Sequence, residues 1–454
     1  MISATMFTFI VSTLGFSQGL PQRIDGYLTE KVRDHETPGV SVAVVLDGHM
    51  IYAGADGLAE VEKKQKVGLD TTFRTMSVGK LFTAAGVLLL AEQGRIRLDV
   101  PVSTYIPSLP RSWAVVTVKD LLAHSSGIPS YHEVPGFAVR LGQDTDPHEL
   151  MKPVYGLPLK FSPGGSSSYS NSDYFILGMI AERVTRKPLA EYLQKSVFAV
   201  LGMRRTHLEY PHEIQVNAAS GYRKSMDGFS KGPYVSPSVI WAAGGFITTA
   251  RDLAIWDIGL HSGKLLKPEW VAKMETPTKP EGPYGLGSEI GSFHGRLTAG
   301  HQGSGIGFNT DYLVIPKEHL SVIVLCNSTN GPSTEMARHI AGLAIPALSD
   351  EGKGVVLDPD PTITARVKRV LENAALGKAE PGDFSATIDK GFLEFLKSAG
   401  PRMLGPMGAI KQMDLLAVET AGRRYRVQYV KGKLAWEIKL DNHGLITSME
   451  PTKE

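Results

Sequence analysis

Apolar, β-rich runs stand at both ends of the first 348 residues, and helical, loop-rich sequence fills the middle. Val40 to Val45 and Met50 to Ala53 flank the pair Asp47-Gly48, which is the signature of a tight β-hairpin. Strand-like runs return only at Tyr312 to Ile315 and Ser321 to Leu325, followed by a helical stretch over Met336 to Ala347. Strands so far apart in sequence must find one another in space, because an isolated hairpin is barely stable in water. The pattern predicts an α+β fold, with an antiparallel sheet flanked by helices and a helical lobe inserted between its strands. A cleft between two such lobes is a common place for a site.

The rest of the chain divides on composition. Residues 1–19 begin with an apolar stretch, Met1 to Ser17, that ends in small residues. This reads as a signal peptide cleaved after Ser17 or Gly19, and it predicts a secreted or periplasmic protein. No other run approaches the roughly 20 apolar residues that span a bilayer, so no transmembrane span is expected in the mature chain. Residues 20–348 form the first unit. Residues 349–362 are rich in Gly, Pro and Asp and read as a linker. Residues 363–454 read as a small α+β accessory domain, with helices over Ile363 to Ala375 and Thr387 to Ala399. A three-strand meander then runs through Arg424 to Val430, Leu434 to Leu440 and Ile446 to Met449.

Charge excludes some functions. With 48 basic and 46 acidic side chains the net charge is +2, which gives no electrostatic case for a nucleic-acid partner. Arg423-Arg424 beside Tyr425 reads as a solvated strand face. The 13 histidines form no His-Glu-x-x-His, and His132-Glu133 and His148-Glu149 read as surface pairs, so neither a metal nor an organic cofactor is expected. The single cysteine, Cys326, lies in an apolar run and reads as a buried core thiol. Gly15-Phe16-Ser17-Gln18-Gly19 spells a Gly-x-Ser-x-Gly, but it lacks the strand–elbow–helix context that motif needs.

Three short elements carry candidate chemistry. Ser77-Val78-Gly79-Lys80 opens a long apolar helix over Val78 to Gln93. Residues three apart on a helix share a face, so the Lys80 amine can reach the Ser77 hydroxyl. A serine hydroxyl needs such a base to become a nucleophile, and burial can lower a lysine pKa enough to supply one. Tyr169-Ser170-Asn171 follows Phe161-Ser162-Pro163-Gly164-Gly165 and precedes another apolar helix. A phenol beside an ammonium can ionise below its usual pKa and relay protons. The Asn171 amide can hold the lysine and a substrate carbonyl at once. His301-Gln302-Gly303-Ser304-Gly305 reads as a Gly-rich turn ahead of a strand, whose edge could pair with an extended substrate.

Taken together and in this order, with Leu121-Leu122-Ala123-His124-Ser125-Ser126-Gly127 and Ala243-Gly244-Gly245-Phe246-Ile247-Thr248-Thr249 between them, these elements make residues 20–348 resemble a known superfamily. The resemblance is to the serine β-lactamases and penicillin-binding proteins, and within them to the branch that holds the class C enzymes, D,D-peptidases and esterases. It implies an acyl-enzyme on Ser77, with Lys80 as its proton acceptor or as the group that keeps Tyr169 ionised. It implies that Tyr169 protonates the leaving group and that Asn171 orients Lys80 and substrate. It places His301 where a third-motif basic residue stands, and makes the backbone N–H groups of Ser77 and Ser304, next to Gly303, the oxyanion hole. His124 would fix a turn beside the cleft. The expected substrate is a small ester, peptide or β-lactam. A histidine in place of the class C lysine points to an esterase or D-amino-acid peptidase before a β-lactamase, because His carries only part of a charge near neutral pH. The other alternative is a peptidoglycan- or peptide-binding protein without chemistry. Oligomeric state is not legible in the sequence.

Overall fold

The computed structural model describes residues 19–225, 228–279, 282–349, 356, 358–386, 388, 390–419 and 422–452. The expected leader lies outside these residues except for Gly19, as does half of the 349–362 segment.

The hairpin forms as the Asp-Gly pair requires. Strands Gly39–Leu46 and His49–Glu60 are joined through Asp47 and Gly48, whose φ values are 50° and 73°. Two consecutive positive φ angles make a primed turn, the kind whose twist matches that of the strands. The hairpin then pairs with the far end of the unit. Val42 lies opposite Val324 on Leu320–Cys326, and Tyr312 on Phe308–Ile315 lies opposite Ile323. The seven-stranded sheet runs Gln65–Lys66, His49–Glu60, Gly39–Leu46, Leu320–Cys326, Phe308–Ile315, Arg296–Gly305, Gly291–Phe293, with every pairing antiparallel.

Alternation divides the sheet's side chains between two cores. Val40, Val42 and Val44 face helices Leu20–Arg33 and Ser333–Ala344, together with Val322, Val324 and the buried Cys326. Ala43, Val45, Ile323 and Leu325 face the larger core of the helical lobe. Fully burying one such valine or leucine side chain stabilises by roughly 1.5–3 kcal/mol, so these two faces hold the sheet in one register. Helix Lys80–Glu92 runs through the larger core and is buried on nearly every side. Its Phe82 ring meets Phe198, Phe246 and Trp256 edge-on at 4.9–5.4 Å between centroids.

The C-terminal domain packs helices Pro361–Ala375 and Lys390–Met403 on a four-stranded antiparallel sheet. Its own core includes Val367, Leu371, Tyr425, Trp436 and Ile438. The sheet has one strand more than the sequence predicts, Ile410–Glu419, which forms its first edge. Lys411, Gln412 and Asp414 break the apolar pattern there, as an edge strand allows.

Arg423 and Arg424 are not a solvated face. They are 4% and 6% exposed. Arg423 donates to Asp358 at 2.7 Å and to the Asp360 carbonyl at 3.0 Å. Arg424 meets the ring of His294, in the turn before Arg296–Gly305, at 2.9 Å. Charges that enter a core with partners are tolerated, and here they tie the domain to its own N-terminal segment and to the first unit.

Candidate active site

Ser77 lies in a 3₁₀ turn, Met76–Gly79, that leads into the lysine helix. Met76 holds φ at 48°, a left-handed conformation that is rare for a large side chain. Strain of this kind persists only where surrounding structure imposes it. Here Thr75 Oγ1 is hydrogen-bonded to the carbonyls of Gly244 and Phe246, and its own carbonyl accepts from Thr310 Oγ1 at 2.8 Å. The turn is clamped between the Gly244-Gly245 segment and the sheet.

The turn puts Lys80 beneath Ser77. Lys80 is completely buried, and its Nζ donates to Asn171 Oδ1 at 2.6 Å and to the Ala243 carbonyl at 2.7 Å. The third direction of the tetrahedral nitrogen reaches Ser77 Oγ at 3.3 Å. Burial brings the Lys80 pKa down to about 7, against an opposing pull from Glu289. When unprotonated, the amine can satisfy both carbonyls with its two N–H bonds and leave its lone pair for the serine.

Tyr169 Oη lies 2.6 Å from Ser77 Oγ, and its ring lies 4.7 Å from Lys80 Nζ. Burial pushes this phenol up, although the hydrogen bond to Ser77 acts the other way. The hydroxyls of Tyr169 and Ser77 are close enough for a proton to pass between them.

Asn171 begins helix Asn171–Thr185 and completes the cluster. Its Nδ2 donates to Nδ1 of His132 at 3.0 Å, so the carbonyl oxygen faces Lys80. His132 is thus no plain surface residue. Its outer edge is exposed, but burial of the inner edge and the Lys80 charge push its pKa down, which leaves Nδ1 free to accept. Glu133 behaves as expected and pairs with Lys160 at the surface.

His124 braces Tyr169 from behind. The rings lie 4.7 Å apart, the His124 carbonyl accepts from Ser168 N–H, and Nδ1 accepts from Ser170 N–H at 3.2 Å. Asp173 Oδ2 approaches the same Nδ1 at 3.1 Å, while Ser126 Oγ donates to Oδ1. Burial pushes Asp173 well above the usual carboxylate range and His124 well below the usual imidazole range.

His301, Gly303 and Ser304 lie on strand Arg296–Gly305, not in a turn. Gly303 and Gly305 read as a turn in sequence, but here they give the strand clearance. A Cβ on Gly303 would strike Thr310 Oγ1 and the Thr75 carbonyl, and one on Gly305 would meet Met76 Sδ. The strand can therefore press on the Ser77 turn. His301 is buried, with Nδ1 donating to the Gln302 carbonyl at 2.6 Å. Burial lowers its pKa, so it is a weaker cation than its place in the motif suggests. Gln302 N–H donates to Glu289 Oε2 at 3.1 Å, away from the neighbouring strand. Strand alternation puts the Ser304 N–H on that same open edge.

A helical lobe on an antiparallel sheet, with serine, lysine and tyrosine meeting at their junction, is the architecture of the serine β-lactamases and penicillin-binding proteins. The Beta-lactamase family profile matches residues 24–345, and the chain belongs to that family of serine hydrolases. Among solved structures it is similar to D-amino acid amidase from Ochrobactrum anthropi SV3 complexed with L-phenylalanine amide. The TM-score is 0.65 with 26% identity, over 73% of this chain and 99% of the amidase. It shares its fold with the octameric penicillin-binding protein homologue from Pyrococcus abyssi, at TM-score 0.64 and 24% identity, over 95% of this chain and 98% of the other. Among curated relatives, protein flp of Staphylococcus aureus (strain N315) is 25% identical over 339 residues, covering 70% of this chain. The match spans 65% of flp's own length.

Among the described residues no helix is long and apolar enough to cross a membrane.

Proposed function

We propose that this protein hydrolyses an ester or amide through an acyl-enzyme on Ser77. The observation that carries the reading is the arrangement of contacts around Lys80 Nζ. Two carbonyl oxygens engage the amine, and the remaining direction points at Ser77 Oγ, 3.3 Å away. The neutral amine takes the serine proton as Oγ attacks the substrate carbonyl. The N–H groups of Ser77 and Ser304 receive the oxyanion, each contributing about 3 kcal/mol in the transition state. Tyr169, still protonated, gives its proton to the leaving group and is replenished from Lys80. Water then retraces the path to release the acyl group.

Similarity to a D-amino acid amidase supports small D-amino-acid amides or peptides, and simple esters, as the substrate class. The weakly cationic His301 counts against efficient β-lactam hydrolysis. Stopped-flow release of p-nitrophenol from p-nitrophenyl acetate tests the reading. A pre-steady-state burst equal to the enzyme concentration, absent in Ser77→Ala, is expected. Equal turnover in the two proteins contradicts it.

A further inference from the structure

Glu289 stands at the open edge of the strand that carries the third motif, and neither the motif chemistry nor the family pattern in the sequence accounts for it. Its own N–H donates to the Gly300 carbonyl at 2.8 Å, and an antiparallel bridge pairs it with Tyr284. The segment from Pro283 to Ile290 therefore lies beside the strand only as far as Gly300. Past that point the Glu289 side chain takes over, with Oε2 on Gln302 N–H at 3.1 Å and Oε1 3.7 Å from His301 Nδ1. Its side chain keeps 35% exposure, so it faces the groove without being closed off.

Gln302 N–H and Ser304 N–H share an edge and are two residues apart, roughly 7 Å. A substrate whose carbonyl lies at Ser304 passes the Glu289 carboxylate about one residue further along. Among the described residues, His301 is the only basic side chain within ion-pair distance of Glu289, and His301 is buried and weakly basic. Arg338 lines the same pocket but makes no ion pair with Glu289, so the carboxylate beside the Gln302 N–H has no strong cation paired with it, although a free C-terminal acid or a β-lactam carboxylate needs a cation at such a place. Like charges a few ångströms apart in a partly closed groove repel strongly.

We propose that Glu289 is a charge filter, selecting substrates that are neutral or cationic at the His301–Gln302 end of the groove over those that carry a carboxylate there. The proposal rests on the acyl-enzyme reading of the same site. It narrows the substrate class to esters, amides and amine-bearing leaving groups, and it assigns specificity to a residue outside the three motifs.

The test is inhibition of p-nitrophenyl acetate turnover by N-acetyl-D-alanyl-D-alanine and by its C-terminal amide, in the wild type, Glu289→Gln and Glu289→Lys. The wild type is expected to bind the amide about tenfold or more tightly than the acid. Glu289→Gln should bring the two within about threefold, and Glu289→Lys should reverse their order. Thermal melts of both variants establish that they are folded. A ratio that does not move in either variant, a wild type that prefers the acid, or inhibition by neither peptide overturns the filter while leaving the acyl-enzyme intact. Absence of Ser77-dependent turnover in the wild type sinks the acyl-enzyme reading itself, and the filter with it.

Discussion

The ring of His132 holds the Asn171 amide, Nδ1 to Nδ2 at 3.0 Å, and so decides which end of that amide faces Lys80. Without the acceptor, Asn171 is free to turn its NH₂ toward the lysine, which already has donors enough. His132→Ala should therefore lower kcat about tenfold, the loss of roughly one well-placed hydrogen bond. His132→Gln, which can supply an acceptor, should recover part of it. Steady-state kinetics on p-nitrophenyl acetate reads both, and an unchanged kcat in His132→Ala would refute the orienting role.

In the proposed mechanism Lys80 sets the pH dependence. Its amine must be unprotonated to accept the serine proton, and its pKa stands at about 7. The rate of acylation should rise with pH through a single ionisation near 7 and level off above it. Lys80→Ala should lose at least about a thousandfold, within the reach of general-base catalysis, and lose that limb of the profile. A profile flat from pH 5 to 9 would show that Lys80 is not the base.

The same shift has a consequence for stability. In the unfolded chain a lysine holds its proton up to about pH 10.4, whereas folded Lys80 gives it up near 7. Between those values the unfolded state binds more protons, so stability rises with pH. The wild type should gain stability relative to Lys80→Met as pH is raised from 7 to 10, measured by urea unfolding of the two proteins side by side. A constant difference would mean that Lys80 is charged in the fold.

Gly303 allows the strand to lie on the nucleophile turn. Gly303→Ala should push it away from Thr75 and Thr310, cost about 1–3 kcal/mol in stability and abolish acylation. Wild-type labelling of Ser77 in this variant would show that the close approach is dispensable.

Arg423 depends on Asp358. Asp358→Ala leaves a guanidinium only 4% exposed without its carboxylate, which should cost about 3 kcal/mol. Hydrogen exchange should show the loss in the four-stranded C-terminal sheet. Protection unchanged there would mean that Arg423 finds another partner.

The sheet was legible because its strands are apolar runs with a clear turn, and because distant runs of that kind must pair. Ser77, Lys80, Tyr169 and Asn171 were legible through the order of the short elements and their resemblance to the serine β-lactamases, with helical spacing putting Ser77 and Lys80 on one face. The structure brings these four together. His132, Asp173 and Glu289 left no comparable trace. Each is one polar residue whose importance comes from a contact across 39 residues (His132), 49 residues (Asp173) or 13 residues (Glu289) of chain. Strand Ile410–Glu419 was hidden by polar residues that an edge tolerates, and Arg423 and Arg424 by the habit of reading charge as surface.

The central claim is that Ser77 becomes acylated. Peptide mapping by mass spectrometry after acid-quenching the wild type and Ser77→Ala during turnover of p-nitrophenyl acetate tests it most directly. An acetyl group on the peptide containing Ser77, missing from the mutant, is the predicted result. A wild type that turns over the ester with Ser77 unmodified at every quench time would contradict it.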